Sequence, residues 1–239
     1  MGVWDLFKSK PPVEKASKQL REPYAQPEAR ETAMNKLFEI GTDEAYDAVL
    51  KRFTFNASGQ IADESEKRQL VERLAATGQP VVPALQRFIR TESNLTFPIQ
   101  ALQQILPGPE VTEFLVETLQ SHEPRDHRST QAKTQLVVSL AELLPSDRAE
   151  VLVPYLHDHS DDVQFQVIVA LEHLAHPPTK DALIEVCCTD EHAGRIRRRA
   201  AQALAALEWS VKHRFEDFDP ELRDEWQVTK KGSLSKRTA

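Results

Sequence analysis

The chain has 239 residues, of which 40% are hydrophobic and 28% charged, and its formal net charge is -7. This composition is typical of a folded protein, because a disordered chain is usually poorer in apolar residues. With only 7 glycines and 3 tyrosines, the chain lacks the composition of an all-β protein. The negative charge disfavours non-specific binding to nucleic acid, so we do not expect nucleic acid as a partner.

The only two cysteines, Cys187 and Cys188, are adjacent in the sequence. Neighbouring residues rarely satisfy disulfide geometry, so we expect two free thiols in a reducing compartment. No apolar run approaches the roughly 20 residues that span a bilayer, and no signal peptide is recognisable. These features predict a cytoplasmic protein.

A short apolar segment, flanked by lysines, begins the chain. Pro11 and Pro12 would end any helix there, so we expect residues 1–12 to form a segment distinct from the domain that follows. Three roles are open for it: docking in a partner's groove, weak membrane association through residues 1–10, and packing on the protein's own first helices. The side chains that would dock are Val3, Trp4, Leu6 and Phe7.

Helical repeats are predicted for most of the remaining chain. Each repeat has a helix with a leucine-centred apolar stripe, a turn and a second helix, with a period of about 33 residues. Stacked helical hairpins have such a period, because each hairpin buries its apolar face only against its neighbours. We therefore predict an all-α fold over residues 13–228, a right-handed α-solenoid of about six hairpins. The central leucines are Leu37, Leu74, Leu102, Leu140, Leu171 and Leu204.

Local signals place several helix ends. A capping helix is expected over about residues 13–24. Pro27 suits the first turn of repeat one's first helix, and Gly41 should end that helix. Pro98 predicts that the first helix of repeat three begins late or kinks. Ser160, followed by two aspartates, is a strong N-terminal signal for repeat five.

The connections and the C-terminus carry further expectations. Two connections between repeats, residues 54–62 and 121–128, are longer than the others, and both should emerge on one edge that could contact a partner. Residues 211–226 are expected to form an amphipathic piece that seals the array. Residues 229–239 are basic and poor in apolar side chains, so we expect a disordered tail.

Parts of the repeats are similar to a known family. Its first-helix signature is closely resembled by Ile196-Arg197-Arg198-Arg199-Ala200-Ala201-Gln202-Ala203-Leu204 and again by Ala29-Arg30-Glu31-Thr32-Ala33. Its second-helix pattern resembles Val82-Pro83-Ala84-Leu85 and Val153-Pro154-Tyr155-Leu156. The family is that of HEAT repeats, in the phycobilin-lyase-like subgroup. The resemblance, over about residues 27–209, implies an α-solenoid that serves as a protein-binding scaffold, with a repeated structural arginine at Arg30 and Arg197 and no catalytic residue.

An excess of acid lies in residues 141–193, which hold eleven Asp or Glu and two basic residues. In a solenoid of this family the second helices line the concave face. An acidic face of this kind would attract a basic or amphipathic protein segment. The alternative is a solvated face without a partner. The predicted contact residues are Tyr155, His157, Asp158, Asp181, Glu185, Asp190 and Glu191.

Catalytic and metal-binding patterns are weak. Histidines and the two cysteines occur in the acidic stretch, but their spacing matches no familiar metal motif, so we expect no metal and no cofactor. No nucleophile–base pair or phosphate-binding loop can be argued from spacing. We therefore expect a non-enzymatic scaffold or adaptor. The alternatives are a lyase-like or metal-dependent enzyme on the same scaffold and a peripheral membrane-associated adaptor.

Overall fold

The structure is a computed structural model that describes residues 12–22, 24–57 and 59–237. The four side chains predicted to dock from the N-terminal segment, those of Val3, Trp4, Leu6 and Phe7, lie outside the described residues. The described residues are almost entirely helical, with one two-stranded sheet near the C-terminus. The prediction of an all-α fold is therefore confirmed.

The helices of the first half, in chain order, are α1 (Pro12–Leu20), α2 (Pro27–Ile40), α3 (Asp43–Leu50), α4 (Gln60–Thr77), α5 (Val82–Thr91) and α6 (Thr96–Ile105). Those of the second half are α7 (Gly108–Gln120), α8 (Thr130–Leu143), α9 (Asp161–Leu174), α10 (Lys180–Cys188), α11 (Gly194–Ala206) and α12 (Pro220–Glu225). Short 3-10 helices cover Lys51–Thr54, Gln79–Val81, His127–Ser129, Ser146–His157, Pro177–Thr179 and Phe215–Asp217. The strands are β1 (Trp226–Val228) and β2 (Leu234–Lys236).

The chain divides into two compact units between Pro107 and Gly108. The boundary falls in the turn between α6 and α7, whereas the sequence predicted one continuous domain over residues 13–228. In the first unit α1 packs on α2 and α3, α3 packs on α5, and α4 packs on α6. In the second unit α7 packs on α8, α8 on α9, and α11 on both α9 and α10. Each unit is thus a stack of packed helices.

The six leucines that define the repeat are the centre of the two cores. Leu37, Leu74 and Leu102 in the first unit have no exposed surface, and the same holds for their three counterparts in the second unit, Leu140, Leu171 and Leu204. The period read from the sequence therefore identifies core positions correctly. Burial of such side chains is the main favourable term in folding.

The helix ends follow the local signals. Gly41 adopts a left-handed backbone with a φ of 62° and donates its N–H to the Leu37 carbonyl, which ends α2. Because α6 begins at Thr96, Pro98 lies in its first turn, where no N–H is needed. Ser160 caps α9 by accepting a hydrogen bond from the Asp162 N–H.

The second helix of repeat four has an unexpected form. Residues Ser146–His157 make a 3-10 helix with Pro154 inside it. Proline has no N–H to donate to the carbonyl four residues earlier, so the α-helical pattern is not available at this position. Because a 3-10 helix has three residues per turn rather than 3.6, the side chains at the end of this element point in directions that differ from those of an α-helix.

The C-terminal tail is ordered as far as the structure describes it, which corrects the prediction of disorder for residues 229–239. β1 pairs with β2 in an antiparallel register that places Val228 opposite Leu234. Trp226 and Leu234 are buried, and β2 lies against α11. Just before this hairpin, residues 211–226 form turns and the short α12 rather than one long amphipathic piece.

None of the helices in the described ranges combines the length and the apolar character that crossing a membrane requires.

Candidate functional site

A polar side chain recurs at one position of four first helices, α2, α8, α9 and α11, and ties each of these helices to the connection before it. Its hydrogen bonds go to backbone carbonyls of that connection. Arg30 and Arg197 have this role, and a lysine and a glutamine take it in the repeats where the sequence lacks Arg. The donations run from Arg30 to Ala25 O (2.6 Å), Lys133 to Pro124 O (2.9 Å), Gln164 to Asp158 O (2.6 Å) and Arg197 to His192 O (3.0 Å).

A buried cluster of charges in the first unit was not foreseen from the sequence. Arg52, which is fully buried, pairs with Asp63 at 2.5 Å and also with Glu66. Glu66 pairs with Arg30 of α2 at 2.9 Å, and Lys67 pairs with Asp63 at 2.8 Å. These five residues, here called the buried charge cluster, link α2, the end of α3 and α4.

The buried charge cluster also holds the long connection at residues 54–62. Asp63 accepts a hydrogen bond from the Ala57 N–H at 2.7 Å, and Lys67 donates to Asn56 Oδ1 at 2.7 Å. Burial alone would raise the pKa of Asp63, but the hydrogen bonds from Ala57, Lys67 and Arg52 outweigh it and hold that pKa below its ordinary value. The sequence predicted that this connection lies on an edge that could contact a partner. In the structure it is held in place by buried charged side chains.

Two of the predicted contact residues lie in the interior, which corrects their assignment to an exposed face. Asp158 is 2% exposed and pairs with the fully buried Lys133 at 2.5 Å. Tyr155 is 3% exposed, and its hydroxyl donates to Leu119 O at 2.6 Å. Burial raises the pKa of Tyr155 to about 12. Tyr155 joins repeat four to repeat three, Asp158 joins the end of repeat four to its first helix, and neither is accessible to a partner.

The other predicted contact residues are exposed. Asp181 and Glu185 lie on α10, and Glu185 pairs with Arg214 at 3.1 Å. Asp190 and Glu191 follow α10 in a turn, and His157 ends the 3-10 helix of repeat four. The structure therefore brings five of the seven residues to the surface of the second unit.

In the second unit, the first helices and the second helices of the repeats differ in charge. The second helices of its repeats are α7, Ser146–His157 and α10, which carry seven carboxylates and two cations: Glu110, Glu113, Glu117, Asp147, Glu150, Asp181 and Glu185 against Arg148 and Lys180. The first helices α8, α9 and α11 carry four carboxylates and five cations, namely Glu142, Asp161, Asp162 and Glu172 against Lys133, Arg195, Arg197, Arg198 and Arg199. The acid excess thus belongs to the second helices.

Five of these carboxylates make no ion pair within the described residues, and they are here called the acidic face. The second helices that carry them are neighbours, since Arg148 reaches back to Glu113 at 2.7 Å and the 3-10 helix Pro177–Thr179, which leads directly into α10, packs on the 3-10 helix of repeat four. Composition alone did not single out the two glutamates of α7, because they precede the acidic stretch. The acidic face consists of Glu110, Glu117, Asp147, Glu150 and Asp181, all exposed.

The second helices of the first unit have a different charge pattern. On α3, Asp43 and Asp47 are both paired with Arg87 of α5, at 3.5 and 3.1 Å. Lys51 pairs with Glu92 at 2.5 Å. Apart from the exposed Glu44, the carboxylates of α3 are therefore paired with cations, and the acidic face is a property of the second unit.

The cysteines and histidines of the acidic stretch were the sequence's candidates for metal binding. Among the described residues, no group of three or more His, Cys, Asp or Glu is arranged to hold a metal ion. Burial raises the pKa of Cys187 far above its ordinary value and raises that of Cys188 as well, so both thiols are held in the unreactive protonated form. His192 is buried with Nδ1 at 3.0 Å from Gln164 Oε1, a structural contact between repeats.

Comparison with protein-family models identifies repeats of a known type. A family model for HEAT repeats matches residues 112–205, which run from α7 to the end of α11. A search of curated proteins finds no protein similar to the chain. The matched residues carry most of the acidic face. The assignment to the phycobilin-lyase-like subgroup stays a prediction.

Proposed function

Because residues 112–205 are HEAT repeats, this chain is a HEAT-repeat protein, and we propose that it is a non-enzymatic scaffold that binds a protein partner through the acidic face. HEAT repeats generally mediate protein–protein interactions. The partner proposed here is a basic or amphipathic segment of another protein. A reducing, cytoplasmic setting with free thiols at Cys187 and Cys188 belongs to the same proposal.

The main support for this proposal is that five carboxylates on the second helices of the second unit have no paired cation among the described residues. Surface carboxylates are usually balanced by nearby cations, as Glu113 is by Arg148 and Glu185 by Arg214. The five carboxylates of the acidic face have no such partner in the described part of the chain, so their field extends into solvent. A rigid stack of helices fixes these charges before binding, which lowers the entropic cost of association.

Charge complementarity of this kind governs specificity and the rate of association. Lysines or arginines of a partner would be steered toward the acidic face, and like-charged proteins would be repelled. Exposed apolar stems of the partner's basic side chains would add contact area on the helices. The five exposed residues predicted from the sequence, His157, Asp181, Glu185, Asp190 and Glu191, remain part of the proposed contact, whereas Tyr155 and Asp158 do not.

Capture of partners from a cell extract, followed by mass spectrometry, tests the proposal. The unmodified chain is compared at low and high salt with a Glu117→Lys/Asp181→Lys variant, whose substitutions lie on exposed positions of α7 and α10. The control is Glu72→Lys, an exposed and unpaired position on α4. We expect high salt and the double variant to abolish capture of a basic protein, and the control to retain it. Capture that survives both would contradict the proposal.

A further inference from the structure

The first unit has an opening between two successive first helices. Other successive first helices pack closely, as α4 does on α6 and α8 does on α9. Helices α2 and α4 are instead bridged mainly by long side chains. Arg30 reaches Glu66, and the guanidinium of Arg73 lies 4.3 Å from the centre of the Phe38 ring. A groove therefore runs along the two helices.

The groove has an apolar floor and a polar rim. Its volume is about 260 Å³, and its floor is formed by the buried side chains of Met34 and Leu70. Pro27 and Ala62 form its walls at the beginning of α2 and α4, and Glu31 lies on the rim. This combination suits an aromatic or aliphatic side chain that carries a polar group or a nearby cation.

Two exposed apolar side chains lie close in sequence to the residues that line the groove. Among the described residues the large hydrophobic side chains that are exposed are those of Tyr24, Ile61 and Val138. Tyr24 is 86% exposed and lies three residues before Pro27, and Ile61 is 88% exposed and precedes Ala62. Exposed apolar surface often marks a binding site when it is contiguous.

We propose that this groove is the docking site of the chain's own N-terminal segment, with Trp4 as the side chain that fills it. The inference is independent of the acidic face, which lies in the other unit. Residues 1–11 precede α1 and lie outside the described residues, and they carry four large apolar side chains.

The length of the segment is sufficient. Helix α1 packs on α2 after a connection of residues 21–26, so the two helices run antiparallel and α1 begins about 13 Å from the Pro27 end, at 1.5 Å per residue. Trp4 lies eight residues before Pro12, and an extended chain of that length spans about 27 Å. This reach also covers the roughly 10 Å width of a helix that the segment has to cross.

The charges of the segment and the groove are complementary. Lys8 and Lys10 lie on the segment, and the exposed Glu31 lines the groove on the α2 side. Glu31 makes no ion pair within the described residues, and it interacts electrostatically with Arg73, which lines the groove on the α4 side. Pairing across the groove would add modest attraction and fix the direction in which the segment crosses α2.

Single-tryptophan fluorescence of the full chain tests the proposal. In a Trp209→Phe/Trp226→Phe background, Trp4 is the only tryptophan, and circular dichroism verifies that the helices are retained. We expect blue-shifted emission and weak quenching by acrylamide. Adding Ala62→Arg, which fills the mouth of the groove, should shift the emission to the red and raise quenching severalfold. The matched control is Ala76→Arg, an exposed position on the same helix away from the groove.

Each other outcome overturns the proposal. Free quenching of Trp4 in the background variant would show that the segment is undocked. Equal quenching in the Ala62→Arg and Ala76→Arg variants would show that it docks elsewhere. Protection that disappears on dilution would show that the groove is filled by the segment of a second copy. Docking in the groove requires protection that is independent of concentration and sensitive to Ala62→Arg alone.

Discussion

Lys133 and Asp158 form an ion pair at 2.5 Å between two side chains that have no exposed surface. Lys133 belongs to the first helix of repeat four, and Asp158 belongs to the connection that follows the second helix. Lys133 also donates to the Glu123, Pro124 and Asp126 carbonyls. One buried ammonium group therefore fixes both connections that flank repeat four.

Removal of this ammonium should be strongly destabilising. In Lys133→Met the Asp158 carboxylate stays buried without its partner, so we expect the free energy of unfolding to fall by about 3–5 kcal/mol. Urea denaturation followed by circular dichroism measures the change. The control is Lys36→Met on α2, where the lysine is exposed. A loss no greater than that of the control would show that the pair does not stabilise the fold.

A substitution within the buried charge cluster of the first unit should also lower the free energy of unfolding. Glu66→Gln removes the charge that Arg30 and Arg52 share, and both arginines are buried. Hydrogen bonds to a charged group are worth about 1.5–3 kcal/mol each, so we expect a loss of at least about 2 kcal/mol in unfolding experiments. Glu72→Gln, on the exposed side of the same helix, should change stability by less than about 0.5 kcal/mol. Equal effects would contradict the assigned role.

Two histidines, the buried His192 and the half-buried His122, predict a fall in stability in mild acid. Burial lowers the pKa of His122 and of His192 below the ordinary value of 6.5. As the pH falls below 6.5, the unfolded chain takes up protons that the folded chain resists, so the stability present above 6.5 is progressively lost toward the folded-state pKa values. Denaturation midpoints across this range measure the loss.

Matched variants test whether these two histidines cause the pH dependence of stability. His122→Gln/His192→Gln should flatten the fall below pH 6.5, because glutamine has no proton to gain. His213→Gln, at an exposed position, should leave the profile unchanged. A double variant whose profile is as steep as that of the unmodified chain would show that other groups cause the fall.

The C-terminal hairpin should contribute to the second unit. Leu234→Asp places a carboxylate against α11, where the leucine is buried, so we expect a loss of about 2–5 kcal/mol and faster proteolysis of the tail. Lys231→Asp makes a larger change of charge at an exposed position in the turn and should have little effect. Similar proteolysis of the two variants would favour a tail that is not packed.

The features predictable from the sequence are those that depend on local patterns. The burial of Leu37 and Leu204 follows from the helical period, the end of α2 from Gly41, and the late start of α6 from Pro98. In each case the residues involved lie within one or two helical turns of one another. Periodicity and turn chemistry are sufficient at that distance.

The features that were missed depend on contacts between distant residues. Asp158 looks like a surface residue in a polar turn, but Lys133, 25 positions earlier, makes its burial possible. The tail looks disordered because its few apolar side chains reveal their role only when Leu234 lies against α11. Such pairings require the stacking of repeats, which a one-dimensional pattern does not contain.

Crosslinking tests the role of the acidic face most directly. A reagent that joins carboxylates to the lysines of the captured partner, followed by peptide mapping, reports which carboxylates touch it. We expect links from Glu110, Glu117, Asp147, Glu150 and Asp181, and none from the equally exposed Glu72 and Glu142 of the first helices. Links confined to the first helices would contradict binding through the second helices of the second unit.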